Sequence, residues 1–246
     1  MQIRTALLSD VGKVRGNNED AVGEDRKLGL LVLADGMGGY QAGEVASQLA
    51  VARTLEFVRQ HHSPAATFDE LSSLLRSAVE QANRAIFESA REHPQYQGMG
   101  TTVVACIAGT ARFAIAYAGD SRLYRLRNQK LQQITRDHSL VQELVNHGHY
   151  TPEEAHRMVS KNIVTRALGV EAQVEVDLLE MDARPDDILL MCSDGLTDML
   201  DDAALREILL HCEENVAAAA IELISEANAR GGRDNVSVIL ARIESA

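Results

Sequence analysis

The sequence is poor in the residue types that stack on nucleobases or cross-link secreted proteins. Among 246 residues there is no tryptophan, and aromatic residues make up only 4%. This composition leaves little aromatic surface for stacking on bases or sugars. The cysteines are too few and too scattered for a disulfide framework or a zinc knuckle, and each lies in an apolar stretch: Cys106, Cys192 and Cys212. We predict that all three are reduced residues of the core.

Positive charge is also scarce. The chain carries 24 Lys and Arg against 36 Asp and Glu, which gives a formal net charge of -12 with neutral histidines. Nucleic acids and anionic membranes are bound through basic surface, so both classes of partner are disfavoured. The segment MQIRTALLSDVGKV lacks the apolar core of a signal peptide, and no apolar run approaches the roughly 20 residues that span a bilayer. We therefore expect a cytoplasmic protein.

The apolar pattern favours an α+β fold in one domain. No Pro/Gly/Ser-rich linker, repeat or low-complexity tract divides residues 1–246. Helical spacing of apolar residues is strongest over residues 42–59, 68–92 and 216–229. Runs typical of strands occur at residues 2–8, 28–34, 101–108, 112–118, 122–126, 174–180, 188–192 and 236–241. Because strand pairs cluster and helices come in blocks, the order is not that of alternating βαβ units.

Residues 137–169 interrupt this pattern. They contain short helix-like patches and the sequence TPEEA, in which Thr151 and Glu154 form a capping box. Long excursions from a sheet are often lids or binding loops. We therefore predict a flap in this segment.

Five aspartates lie next to predicted strands, each beside a glycine or another turn-forming residue: Asp20 in RGNNED, Asp35 in DGMGG, Asp120 in GDSR, Asp194 in SDGL and Asp234 in GGRDN. A single aspartate before glycine usually forms a turn or a helix cap. Five such positions together indicate more than separate turns, because burying a carboxylate costs desolvation energy unless an opposite charge is near. Neither ADGMGG nor CSDGL contains a lysine or an arginine. A divalent cation is therefore the expected partner.

The chemistry of these aspartates favours a hard ion. All donors are oxygens, without cysteine or a histidine pair, which suits Mg²⁺ or Mn²⁺ better than zinc. Two such ions about 3.5 to 4 Å apart, bridged by a carboxylate and a water, would lower the pKa of that water and clamp a phosphoryl group. The glycines of DGMGG form no P-loop, since GK[ST] is missing. We expect them to let the backbone approach closely, so that the Gly36 carbonyl can reach a metal.

The motifs together resemble a known family. In chain order they are RGNNED, ADGMGG, Gly43-Glu44 with Ala46-Ser47, Gly100–Thr102, GDSR, Asp137–Ser139, SDGL and GGRDN. This set is similar to that of the bacterial metal-dependent (PPM, type 2C) Ser/Thr protein phosphatases, over nearly the whole chain. The resemblance implies a four-layer αββα sandwich, two antiparallel sheets flanked by helix pairs, with the flap near residues 137–169. It also implies hydrolysis of phosphoserine and phosphothreonine on proteins by a metal-bridging hydroxide, without a phosphoenzyme.

The resemblance assigns ligands for two or three Mn²⁺ or Mg²⁺ ions. It implies that Asp35 bridges the two main ions and that the Gly36 carbonyl binds the first. Asp194 and Asp234 would complete the second. Asp120, together with Asp194, matches a weaker third site.

Further residues receive roles from the same resemblance. Glu19 and Asp20 would hold metal-bound waters from behind the direct ligands. Arg15 matches the arginine that grips the substrate phosphate, to which a planar guanidinium donates two hydrogen bonds. Asn162 is a candidate flap ligand of the third ion. Met37 stands where animal members often have a histidine that protonates the leaving group, so a side-chain general acid is missing at that position.

Two other functions could use the same residues. A phosphatase-like regulatory or binding domain without turnover would normally lack one or more of the metal aspartates, and here all are present. A two-metal nuclease shares the ion chemistry but needs a basic track for the nucleic-acid backbone, which the net charge of -12 opposes. The resemblance implies phosphoprotein substrates, with a bacterial Ser/Thr kinase and its targets as partners. It also implies a monomer.

Overall fold

The computed structural model describes residues 2–39, 42–146, 150–151, 154, 163–212 and 215–244. The strands in these residues are β1 (Gln2–Asp10), β2 (Asp20–Asp25), β3 (Leu30–Met37), β4 (Gly100–Thr101), β5 (Val103–Ala108), β6 (Arg112–Ala118), β7 (Arg122–Arg127), β8 (Lys130–Gln133), β9 (Asp177–Asp182), β10 (Ile188–Cys192) and β11 (Val236–Glu244). The helices with described bounds are α1 (Ala42–His61), α2 (Phe68–Glu92), α3 (Leu140–Asn146), α4 (Asp194–Thr197), α5 (Asp202–His211) and α6 (Val216–Ala229).

The strands form two antiparallel sheets. The first sheet has the order β1-β11-β10-β7-β8, and the second has the order β2-β3-β5-β6-β9 with β4 paired to β3. Every pairing between neighbouring strands of these sheets is antiparallel. The predicted α+β class with two antiparallel sheets is therefore confirmed.

Three apolar layers hold the sheets and helices together. Along β3, Leu31 and Leu33 face the other sheet, where they join side chains such as Met191 and Ile239. The alternate residue Leu30 packs in the layer that α1 and α2 form with the second sheet. Because successive side chains of a strand point to opposite faces, a strand covered on both sides reads as a continuous apolar run, as LLVLA does.

Helix pairs cover the two outer faces. α1 and α2 pack on the second sheet, while α5 and α6 pack on the first. α2 begins at a capping box, in which Thr67 Oγ1 accepts the Glu70 N–H at 3.3 Å and Glu70 Oε2 accepts the Thr67 N–H at 2.7 Å. The predicted ranges of α2 and α6 agree with the structure at both ends. The four-layer αββα sandwich is confirmed.

The sequence pattern does not indicate several of the described elements. β2 and β8 lie at the edges of their sheets, and their sequences DAVGED and KLQQ carry too few apolar residues to show alternation. α5 is short and depends on its N-cap, where Asp201 accepts the Ala204 N–H at 2.8 Å. β9 begins at Asp177 rather than at residue 174.

The segment of residues 137–169 is described mainly at its two ends. Ser139, just before α3, forms an isolated antiparallel bridge with Val164. Asn162 lies outside the described residues, as do most residues from 147 to 161, so the flap and its candidate ligand stay predictions. In the described part of the chain, no helix combines the length and the apolar character needed to cross a membrane.

Two of the three cysteines are core residues. Cys106 and Cys192 are free and buried, and burial raises the pKa of each thiol to about 12. The prediction is wrong for Cys212, which is a free but partly exposed thiol after the last residue of α5. Its Sγ donates to Glu222 Oε2 at 3.2 Å, a polar contact that a position at the protein surface allows.

Candidate metal centre and active site

The first half of the site lies where β2 and β3 pair. Asp20 and Asp35 are register partners across these strands, which places the two residues side by side. The Gly36 N–H donates to the Glu19 carbonyl oxygen at 3.0 Å. The motifs RGNNED and DGMGG therefore lie together at one end of the second sheet.

The second half comes from the first sheet. β10 ends at Cys192, and Ser193 and Asp194 follow it at the start of α4. The Ser193 Oγ donates to Asp20 Oδ2 at 2.8 Å. From the neighbouring strand β11, the Ser237 N–H donates to Ser193 Oγ at 3.0 Å. A hydrogen-bonded serine thus joins the two sheets inside the site.

Asn235 connects the loop before β2 to the start of β11. Its Oδ1 accepts the Glu19 N–H at 2.8 Å, and its Nδ2 donates to the carbonyl oxygens of Val11 and Asn17 at 2.9 Å each. The Asn235 N–H donates to Asp234 Oδ1 at 2.9 Å. The buried side chain of Asn235 therefore holds Glu19, while its backbone N–H holds the Asp234 carboxylate. Sequence reasoning missed Asn235, although it is the last residue of the motif GGRDN.

Arg15 lies beside Asp234. A guanidinium nitrogen of Arg15 donates to Asp234 Oδ2 at 2.7 Å, and the Arg15 side chain is 49% exposed. The hydrogen bond to Asp234 raises the pKa of Arg15 above its ordinary value, so the side chain stays charged. A half-exposed cation at the rim of a carboxylate cluster is well placed to meet an incoming anion. The pairing itself was not indicated by the sequence.

Asp120 approaches the site from the end of β6. Gly119 before it has a φ of +115°, and a Cβ there would lie 2.6 Å from the Cβ of Thr102. The hydroxyls of Thr102 and Ser121 share a hydrogen bond of 2.7 Å, and Thr102 Oγ1 also accepts the Asp35 N–H at 3.0 Å. The turn that carries Asp120 is therefore joined to the backbone of Asp35.

Glycines allow the backbone segments of the site to approach closely. A Cβ on Gly36 would lie 2.1 Å from the Gly43 carbonyl oxygen and 2.6 Å from that of Glu19. A Cβ on Gly195 would lie 2.0 Å from the Asn235 carbonyl oxygen. Both glycines are required for space rather than for an unusual backbone conformation. The structure thus shows the close approach predicted for DGMGG, while metal binding by the Gly36 carbonyl stays a prediction.

The salt bridges of the described residues do not include most of these carboxylates. Among the described residues, no salt bridge reaches Asp20, Asp35, Asp120 or Asp194. Burial raises the pKa of Asp20 and that of Asp120 to about 6. Burial, followed by the charge of Asp120, raises the pKa of Asp194 to about 8. Burial, followed by the charges of Asp20, Asp194 and Asp120, holds the pKa of Asp35 well above its usual range. Such a concentration of negative charge favours a bound cation.

The donor set fits a divalent cation. Asp20 Oδ1 is buried and has no hydrogen-bond partner among the described residues, which is costly unless a cation or a water meets it. All the donors are oxygens, as Mg²⁺ and Mn²⁺ prefer. Within the described residues, no three His, Cys, Asp or Glu side chains are arranged to hold an ion by themselves. Water and backbone oxygens are further oxygen donors that such an ion accepts.

All predicted site residues that the structure describes meet at this end of the sandwich. They are Arg15, Glu19, Asp20, Asp35, Gly36, Asp120, Asp194 and Asp234. Hydrogen bonds connect most of them, and the charges of four other aspartates act on Asp35. Residues about 200 positions apart in the chain are thus neighbours in space, as the hydrogen bond from Arg15 to Asp234 illustrates.

Comparisons with known proteins agree with this geometry. Residues 14–226 match the family model for protein phosphatase 2C. This chain belongs to the protein phosphatase 2C family. The serine/threonine phosphatase Stp of Listeria innocua is 41% identical over 235 residues, which are 94% of this chain and 92% of that protein.

Solved structures share the fold of this phosphatase 2C chain. The crystal structure of the Mycobacterium tuberculosis serine/threonine phosphatase PstP/Ppp is 42% identical and superposes with a TM-score of 0.91, covering 99% of both chains. The catalytic domain of PstP in complex with two manganese ions has a TM-score of 0.87 at 42% identity, with the same coverage. Stp1 from Staphylococcus aureus has a TM-score of 0.90 at 34% identity, covering 100% of this chain and 96% of that chain.

A cavity of about 480 Å³ adjoins the carboxylates in this phosphatase 2C fold. Asp120, Asp194 and Asp198 line it, and the charge of Asp198 contributes to the raised pKa of Asp194. Arg122 also lines the cavity, but it is paired with Asp137 at 2.7 Å. Sequence reasoning missed Asp198. The spacing in SDGLTD provides the signal, because residues four apart at a helical turn lie on one face.

Proposed function

We propose that this protein is a Ser/Thr protein phosphatase that hydrolyses phosphoserine and phosphothreonine on other proteins. The observation that carries the proposal is a group of four aspartates, contributed by both sheets, that form no salt bridge with any described residue, with the half-exposed Arg15 at its rim. Such a group binds cations and leaves a place for an anion beside them. Membership of the protein phosphatase 2C family and the 41% identity to a serine/threonine phosphatase support it.

The proposed cofactors are two or three Mn²⁺ or Mg²⁺ ions. Asp35, the Gly36 carbonyl, Asp194 and Asp234 would hold two of them, and Asp120 with Asp194 a third. When bound, the ions supply Lewis acidity, which lowers the pKa of water and offsets negative charge on a phosphoryl group. The relative PstP, whose catalytic domain was solved with two manganese ions, supports this choice of metal.

The serines of the site support direct attack by water, without a phosphoenzyme. Ser193 is fully buried, and its hydroxyl donates to Asp20 while accepting the Ser237 N–H. Ser121 is also buried and shares a hydrogen bond with Thr102. A nucleophilic serine needs access to substrate and a neighbouring general base, and neither hydroxyl has that access. Both serines therefore act by holding the aspartates in place.

The remaining polar residues position the acidic group from behind. The Asn235 side-chain oxygen accepts the N–H of Glu19, and the backbone N–H of Asn235 donates to the Asp234 carboxylate. Arg15 would receive the phosphate of the substrate, since its guanidinium stays charged and about half of the side chain is open to solvent.

The proposal is tested by phosphate release from a phosphothreonine peptide with Mn²⁺ present. We expect turnover that excess EDTA abolishes and that added Mn²⁺ or Mg²⁺ restores. The same peptide with phosphotyrosine is the matched control and should react much more slowly. Turnover that survives EDTA would contradict metal catalysis. Tight Mn²⁺ binding without turnover would instead support a silent regulatory domain.

Replacing Arg15 tests its role in phosphate binding. Arg15→Ala should lower kcat/KM for the phosphopeptide by about 100-fold, because a charge-assisted pair of hydrogen bonds is worth about 1.5 to 3 kcal/mol. Arg15→Lys keeps the charge but not the planar fork, so we expect an intermediate loss of about tenfold. Steady-state kinetics measures both. Arg53→Ala, which removes an exposed ion pair on α1, is the control. Activity of Arg15→Ala within threefold of the parent would remove Arg15 from the site.

We further propose a cytoplasmic monomer of one catalytic domain, residues 1–246, that opposes a bacterial Ser/Thr kinase. The net charge of -12 supports protein targets rather than polyanions, because an acidic surface repels nucleic acids and anionic membranes. Light scattering on the purified protein tests the monomer. Loss of the gene should raise phosphothreonine on the kinase and on its targets, as measured by phosphoproteomics.

A further inference from the structure

His138 lies between the turn that carries Asp120 and the ends of the segment 137–169. It is 8% exposed and contacts Gly119, the residue directly before Asp120, in two ways. The His138 N–H donates to the Gly119 carbonyl oxygen at 2.9 Å. The Gly119 N–H donates to His138 Nδ1 at 3.1 Å. Backbone and ring together therefore clamp Gly119, which holds its left-handed φ of +115°.

The clamp fixes the protonation state of the ring. A backbone N–H can only donate, so Nδ1 must be unprotonated and the single ring proton lies on Nε2. Nε2 faces Asp177 Oδ2 at 3.3 Å. Arg166 holds the other oxygen of Asp177 at 2.9 Å. The Tyr117 ring stacks on the imidazole at a centroid distance of 5.1 Å. Burial lowers the pKa of His138, which favours this neutral form.

The same residue joins both ends of the segment 137–169. The His138 carbonyl oxygen accepts the Thr165 N–H at 2.8 Å. The next residue, Ser139, pairs with Val164, and the Leu140 N–H donates to the Ile163 carbonyl oxygen at 2.9 Å. His138 therefore contacts both the paired ends of this segment, residues 138–140 and 163–165, and the turn that leads to Asp120.

We propose that His138 is a positioning residue, which sets the place of Asp120 through Gly119 and links it to the base of the segment 137–169. It touches no reacting atom. The inference rests on the proposed function, because the place of Asp120 matters only if this carboxylate holds an ion. Residues that orient metal ligands typically change metal affinity by about 10- to 100-fold when they are replaced.

Two substitutions separate the acceptor from the rest of the ring. In His138→Asn the amide oxygen can take the place of Nδ1 and accept the Gly119 N–H, whereas the longer His138→Gln extends toward the place of Nε2 and leaves that N–H without its acceptor. Mn²⁺ binding is measured by electron paramagnetic resonance titration, with Asp120→Asn as the reference. We expect His138→Gln to weaken the weakest Mn²⁺ site about tenfold, and His138→Asn to stay within about twofold of the parent.

The double variant provides the sharper test. If His138 acts through Asp120, His138→Gln should change Mn²⁺ binding no further once Asp120→Asn is present. Cys106→Ala creates a cavity in the apolar layer between the sheets. It controls for a simple loss of stability and should leave Mn²⁺ binding unchanged. Parent-like binding by His138→Gln, or additive losses in the double variant, would overturn the inference. So would parent-like binding by Asp120→Asn, whereas the phosphopeptide assay on the parent protein reports separately on the proposed function.

Discussion

Replacing Asp194 by asparagine is expected to abolish phosphatase activity while the chain stays folded. Asp194 lies at the start of α4, after β10 and Ser193, and belongs to the group of aspartates whose charges act on one another. Asparagine keeps the shape of the side chain but removes the negative charge that a divalent cation needs. We expect kcat to fall by at least about 1,000-fold, as for the loss of electrostatic stabilisation of a transition state.

The same substitution should not destabilise the metal-free protein. Burial, followed by the charges of neighbouring aspartates, raises the pKa of Asp194 to about 8, so the folded metal-free protein favours an uncharged side chain at this position. A melting temperature equal to or above that of the parent, together with lost activity, is therefore the expected signature. A variant that is merely misfolded would instead melt earlier.

Asp202→Asn is the matched control for this experiment. Asp202 lines the same cavity but is exposed, in the first turn of α5. Its replacement removes one charge from the same neighbourhood and should leave kcat within a factor of about two, because exposed charges are screened by water and salt. Equal losses in the two variants would mean that the overall charge of the cavity, and not a specific ligand, controls the activity.

The positions of most site residues could be predicted because sequence signals, namely apolar runs and glycines, lie directly beside them. Asp35 and Asp194 follow apolar runs that only a strand covered on both faces can bury. Gly36 is packed so closely against Gly43 that its place in a motif is a local necessity. The ends of strands in two stacked sheets can lie at one edge of the sandwich. The position of each motif at a strand end therefore indicated that the motifs lie close together, as well as indicating the local conformation of each.

The rest of the site depends on contacts between distant parts of the chain. Nothing local indicates that Arg15 pairs with Asp234, or that Asn235 receives the Glu19 N–H. His138 is similar, because its role is visible only once Gly119 and Asp177 lie on either side of its ring. Such partners are chosen by the packing of the two sheets, which a pattern within one segment does not encode.

The metal-free protein should lose stability as the pH rises from about 5.5 to 8. Asp20 and Asp120 have pKa values of about 6 and Asp194 of about 8, against about 3.9 for an aspartate in an unfolded chain. In this range the folded state therefore binds more protons than the unfolded state, and the free energy of unfolding falls with increasing pH. The lowered pKa of His138 acts in the opposite direction, but it is one group against several carboxylates.

The size of this effect follows from the displaced titrations. Each pH unit by which one group is displaced corresponds to about 1.4 kcal/mol, and 1 kcal/mol shifts the melting temperature of a chain of this size by about 2 to 4 °C. With EDTA present, we expect the melting temperature to fall by about 5 to 10 °C between pH 5.5 and 8. Scanning calorimetry at constant ionic strength measures it.

Saturating Mg²⁺ should remove or reverse this slope, because a divalent cation replaces the protons that hold the carboxylates together and binds only the folded state. Asp194→Asn should flatten the slope in EDTA and should also lose most of the stabilisation by Mg²⁺, since it removes both a carboxyl whose pKa is raised to about 8 and a proposed ligand. A melting temperature in EDTA that rises steadily from pH 5.5 to 8 would show that these aspartates are already neutralised within the protein. In that case the cluster would hold its charges by internal hydrogen bonds, and the case for a cation at this end of the sandwich would fail.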